Sequence, residues 1–79
     1  MPYRQVWLEI ALQQIDGLPA ELQAQARQRV EQLLEHPELP PTAYNPATDQ
    51  WITTFGNGAG LLVLAITHEH RAVIILRLV

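Results

Sequence analysis

The spacing of hydrophobic residues changes several times along this chain, and each change predicts an element. Tyr3-Arg4-Gln5-Val6-Trp7 is rich in β-formers and predicts a short edge strand. From Leu8 the period becomes helical: Leu8, Ala11, Leu12, Ile15 and Leu18 recur at the three–four spacing of one helix face. Gly17 and Pro19 end that helix, and a second starts near Pro19, because proline fits a first helical turn. Leu22, Ala26, Val30, Leu33 and Leu34 form its buried stripe. Glu21, Gln25, Arg27, Gln28 and Glu31, with Arg29 and Glu35, form its solvated side. His36-Pro37 closes the helix, since a residue before proline disfavours helical backbone.

Leu39 to Ala47 contains Pro40, Pro41 and Pro46 and reads as a stiff connector, too rich in proline for a central strand. Trp51 to Phe55 then predicts a strand, Gly56 to Gly60 a turn, Leu61 to Thr67 a strand, His68 to Arg71 a turn, and Ala72 to Val79 the last strand. The expected fold class is α+β in one domain over residues 1–79. A short N-terminal strand leads to an antiparallel helix hairpin and a three-stranded antiparallel meander (β-α-α-β-β-β), with the helices on one face of the sheet.

A sheet covered on one face should alternate apolar and polar residues. Leu61 to Ile66 and Ala72 to Leu76 are apolar throughout. Two helices cover only one face, so a partner is expected on the other: a second copy of the chain or another protein. The residues expected to line that partner face are Ile52, Thr54, Leu62, Leu64 and Ile75, with Arg77 able to grip a partner carboxylate. This assignment assumes strands without a bulge, and the purified chain is expected not to be a monomer.

Composition narrows the function classes. The 79 residues are 48% hydrophobic and only 16% charged, against roughly 25% charged in an average soluble protein, which excludes a disordered tail. Net charge is −3, and all five cations are arginines, so no basic stripe for nucleic acid is visible and that partner is not expected. With no cysteine there is no disulfide, thiolate zinc site or cysteine nucleophile, which fits a cytoplasmic protein. Neither a signal-peptide core nor the roughly 20-residue apolar run of a membrane span is present, so no membrane partner is expected.

Other residues invite chemical readings. His68-Glu69-His70, with His36 or Asp49, has the donor types of a zinc site, and its histidines could act as a general base. A solvated hairpin tip is the simpler reading, and no metal or other cofactor is expected. Gly56-Asn57-Gly58-Ala59-Gly60 resembles a phosphate loop in composition, but such loops open a helix and this one opens a strand, so a hairpin turn is expected. Trp51 and Phe55 share a strand face, and without surrounding cations they read as core rather than a base-stacking platform. Arg77 is the sole charge in the last strand, available either for a structural bridge to Glu9 or Asp49 or for a partner.

The order strand–helix–helix–three strands resembles the RelE/ParE superfamily of bacterial type II toxin–antitoxin modules. The resemblance covers nearly the whole chain. It is carried by Tyr3 to Trp7 running into Ala11-Leu12, by Leu18-Pro19, and by Leu33-Leu34-Glu35-His36-Pro37-Glu38-Leu39. The last hairpin completes it: Gly60-Leu61-Leu62-Val63-Leu64, a four-residue turn, and Val73 to Val79.

It implies a toxin component acting through protein binding, with a cognate antitoxin over the sheet. Ribonuclease members carry basic residues on the strand after the helices and an arginine at the start of the next. The matching positions here are near Ile52 and Thr54, and Leu61 or Leu62. They also use residues beyond the last strand. A metal-independent RNase needs a base and cations, and Arg77 is the one matching cation, so ordinary mRNA cleavage is not implied and catalytic residues are not assigned. The alternative is a non-catalytic, homo-oligomeric interaction module that keeps this fold.

Overall fold

The computed structural model describes residues 2–79. Strand β1 (Arg4–Trp7) leads through Leu8 into helix α1 (Glu9–Asp16), and α2 (Ala20–Glu35) follows. Pro19 caps α2 in extended conformation, and His36 ends it, as the sequence predicts. Strands β2 (Thr42–Asn45), β3 (Gln50–Phe55), β4 (Gly60–Thr67) and β5 (Ala72–Leu78) complete the chain.

The fold is α+β as expected, but the sheet departs from a three-stranded meander in two ways. All five strands form one sheet in the order β1-β5-β4-β3-β2. The N-terminal strand runs parallel to β5, with Arg4 opposite Ala72 and Trp7 opposite Ile75. Part of the proline-rich connector is itself a strand, β2, antiparallel to β3 from Thr42↔Thr53 to Asn45↔Gln50. Its prolines flank it at Pro41 and Pro46, and its position at the sheet edge leaves one side without ladder bonds to lose.

The core lies between the sheet and the helix pair. Ala11 and Ile15 of α1, with Ala26, Val30 and Leu33 of α2, pack against Phe55, Leu62, Leu64, Val73, Ile75 and Leu78. Burying a side chain the size of Leu or Ile contributes about 1.5–3 kcal/mol, so this layer dominates stability. Trp51 packs at the margin of the core, 4.9 Å from the Tyr44 ring, and Trp7 lies under the Arg27 guanidinium at 5.4 Å. The aromatics therefore pack within the fold, as their setting predicts.

Side-chain amides and backbone bonds fasten the layers. Gln14 of α1 clamps the Leu78 peptide with both amide atoms, donating to its carbonyl at 2.8 Å and accepting its N–H at 2.7 Å. The Tyr3 N–H donates to the Leu34 carbonyl at 2.7 Å, fixing β1 beside the exit of α2.

Gly56, Asn57 and Gly58 all have positive φ, and the Ala59 N–H closes the turn onto the Gly56 carbonyl at 3.1 Å, so the glycine-rich segment is a hairpin connection. No described helix is long and apolar enough to cross a membrane.

Candidate partner-binding face

Strand register decides which residues face away from the helices. Trp51 pairs with Leu64, Thr53 with Leu62 and Phe55 with Gly60, and this set faces the core. The alternate set, with Ile52 opposite Val63 and Thr54 opposite Leu61, faces outward. On β5 the register shifts between Val63 and Leu64: Val63 pairs with Arg77, whereas Leu64 pairs with Ile75. One extra residue, Leu76, is accommodated there as a bulge. Ile75 and Leu78 can then both enter the core, and Arg77 emerges on the outer face.

The six residues expected on the partner face therefore divide. Ile52, Thr54 and Arg77 lie on the outer face. Leu62, Leu64 and Ile75 do not: each is 0% exposed and sits under the helices. The reason is physical. In strands apolar at every position, composition does not mark the inner face, and a one-residue slip inverts the assignment. The bulge likewise separates Arg77 from Ile75, with which unbroken alternation would have placed it.

The outer face thus centres on Ile52, Thr54, Leu61, Val63, Ile74 and Arg77. Val63 is only 2% exposed despite pointing away from the helices, since same-face cross-strand neighbours stand close enough to cover it. Arg77 is exposed, and among the described residues it has no hydrogen bond or ion pair. Neither anticipated structural partner holds it: Asp49 accepts a hydrogen bond from the Tyr44 hydroxyl at 2.6 Å, and Glu9 accepts one from Gln13 at 3.5 Å. The centre of the face is therefore mainly apolar with Arg77 as its uncompensated cation, while Arg4 stands exposed on the same face beside Ala72, and the centre suits an apolar segment bearing a carboxylate.

At the hairpin tip, His68 Nδ1 lies 2.7 Å from the Tyr3 hydroxyl and Nε2 lies 3.2 Å from Glu38. This cluster ties the β4–β5 turn to the N-terminus and the exit of α2. No group of three potential ligands close enough to hold a metal ion occurs among the described residues.

Sequence reasoning missed one buried cation. Arg29 is 9% exposed and reaches from α2 into the sheet rather than into solvent. Nε and Nη2 donate to Thr53 Oγ1 at 3.1 and 2.9 Å, Nη2 also donates to the Leu39 carbonyl at 2.7 Å, and Nη1 donates to Gln32 at 3.0 Å. Desolvation holds its pKa below the ordinary arginine value. The available signal was spacing: position 29 follows Ala26 by three and precedes Leu33 by four, on the edge of the apolar stripe.

No protein-family model and no curated protein sequence matches the chain. Solved structures do. A mutant of the E. coli toxin RelE in the free state superimposes with a TM-score of 0.84 at 19% identity, over 99% of this chain and 82% of that one. The E. coli RelBE toxin–antitoxin complex gives 0.83 at 18%, over 96% and 93%. An archaeal RelE–RelB complex from Pyrococcus horikoshii gives 0.78 at 14%, over 99% and 93%. The chain has the fold of these RelE structures.

Proposed function

We propose that this chain, with its RelE-type fold, is the toxin component of a type II toxin–antitoxin module and acts through protein binding. Its outer sheet face seats a segment of the antitoxin, with Ile52 and Thr54 in apolar contact and Arg77 holding a partner carboxylate. The observation that carries this reading is the unpaired Arg77 standing among Leu61, Val63 and Ile74 on the outer sheet face. Solved complexes of the same fold with RelB antitoxins support a partner of that kind.

The same face speaks against ordinary mRNA cleavage. Ile52, Thr54 and Leu61 occupy the positions that match the family's cations, and none can offset charge developing at a phosphate. Among the positions compared, Arg77 is the one cation left to stabilise that transition state.

Induced expression in a bacterial host, with and without the protein encoded beside this gene, tests the reading. The expected result is growth arrest relieved by the neighbouring protein, with cellular mRNA intact. Unimpaired growth would overturn the toxin assignment in favour of a non-catalytic interaction module, and mRNA cut at discrete sites would overturn the binding mode.

A further inference from the structure

Helix α2 presents Gln25, Gln28, Arg29 and Gln32 along one side, at spacings of three, one and three residues. With Pro41, Thr54, Phe55, Gly56 and Asn57 they wall a groove of about 410 Å³ between the helix and β3. A buried guanidinium is ordinarily matched by a carboxylate. Here every acceptor is neutral: Thr53, Thr42, Gln32 and the Leu39 carbonyl. Of the five N–H donors of a guanidinium, one on Nη1 has no acceptor among the described residues. The positive charge is thus hydrogen-bonded but not neutralised, and it forms part of the groove wall.

From this we infer that the groove is a binding site for an acidic side chain of an extended peptide, with the carboxylate held at Arg29 and by the side-chain amides of Gln25, Gln28 and Gln32. Two further features fit that occupant. Pairing between β2 and β3 ends at Thr42↔Thr53, so Thr54 and Phe55 have no strand beside them on the groove side, and an extended segment can lie there. Charge also selects a peptide over RNA. A phosphate chain requires several cations along its path, whereas the groove offers one in a protein of net charge −3. A single carboxylate requires only one. The site stands whether or not the outer sheet face binds an antitoxin.

Nitrogen-15 NMR of the full chain tests it, following the Arg29 Nε–H and the glutamine side-chain amides. The probe is a short capped peptide of alternating threonine and valine with one central glutamate, compared with the same peptide carrying glutamine. The glutamate peptide is expected to shift these signals saturably and to bind about tenfold more tightly than its glutamine counterpart. Arg29 variants are prone to lose the fold, so Gln28→Glu, at an exposed position, supplies the control. It places a negative charge at the groove and is expected to weaken binding of the glutamate peptide by about tenfold. Equal responses to the two peptides, or an unaffected Gln28→Glu protein, would overturn the inference. Saturation by a short oligouridylate in place of the glutamate peptide would overturn it in favour of a phosphate site.

Discussion

Arg29 and Thr53 are joined by a fork: Nε and Nη2 of the arginine both donate to the threonine Oγ1, at 3.1 and 2.9 Å. The threonine hydroxyl in turn donates to the Pro41 carbonyl at 2.8 Å. One side chain of α2 therefore anchors the third strand and the proline-rich segment. Thr53→Val is expected to cost about 1–3 kcal/mol, because it strands buried donors and the Pro41 acceptor. Arg29→Met is expected to cost at least as much, since Leu39, Thr42 and Thr53 each lose a donated hydrogen bond and only the Thr42 hydroxyl remains to donate among them. Denaturant unfolding, with the slope held to the wild-type value, measures both.

Thr67 presents the opposite case. Its Oγ1 is buried and has no hydrogen-bond partner. Replacing it with the near-isosteric valine removes an unsatisfied polar atom, so Thr67→Val is expected to leave stability unchanged or to raise it by about 1 kcal/mol. A clear loss in thermal unfolding would contradict the burial described.

Gly60 is fixed by packing rather than by backbone angle. A Cβ there would overlap the Phe55 ring, which belongs to the core. Gly60→Ala therefore forces the ring off its position and is expected to cost about 1–3 kcal/mol. Gly60→Ala combined with Phe55→Leu should recover part of that loss, and a double-mutant cycle measures the coupling.

The Tyr44 hydroxyl donates to Asp49, which raises the phenol's pKa above its ordinary value of 10.0. A folded pKa above the unfolded one gives stabilisation that is complete below the unfolded value and fades as pH rises through the folded value. The contact is therefore expected to weaken only on the alkaline side of pH 10.0. Absorbance titration of phenolate should show Tyr44 ionising late, and Asp49→Asn should bring it earlier. Unaltered titration in that variant would contradict the assignment.

Much of this architecture is legible in the sequence, for identifiable reasons. Leu22, Ala26, Val30 and Leu33 keep one period over the whole of α2, and Gly56-Asn57-Gly58 supplies the positive φ a hairpin requires, so helices and turns are encoded locally. The face of β4 and β5 is not. Leu61 to Ile66 would satisfy a core in either orientation, and the choice rests on pairing with Trp51 and Thr53 and on the bulge at Leu76, which are tertiary facts. Strand β2 was concealed by its flanking prolines, whose restriction matters little at a sheet edge. Arg29 was concealed by its charge, since burial of an arginine depends on acceptors from Leu39, Thr42 and Thr53 that only the fold brings together. Of the expected partner residues, Ile52, Thr54 and Arg77 keep an outward position.

The role of the outer face is tested most directly by titration calorimetry of the purified chain against the protein encoded beside its gene, comparing wild type with Arg77→Glu. Arg77 has no partner within the described residues, so the variant should unfold at the wild-type temperature. If Arg77 holds an antitoxin carboxylate, affinity should fall by about 2–5 kcal/mol, a loss of thirtyfold or more. Wild-type affinity in the Arg77→Glu protein, or no complex with either form, would contradict the account.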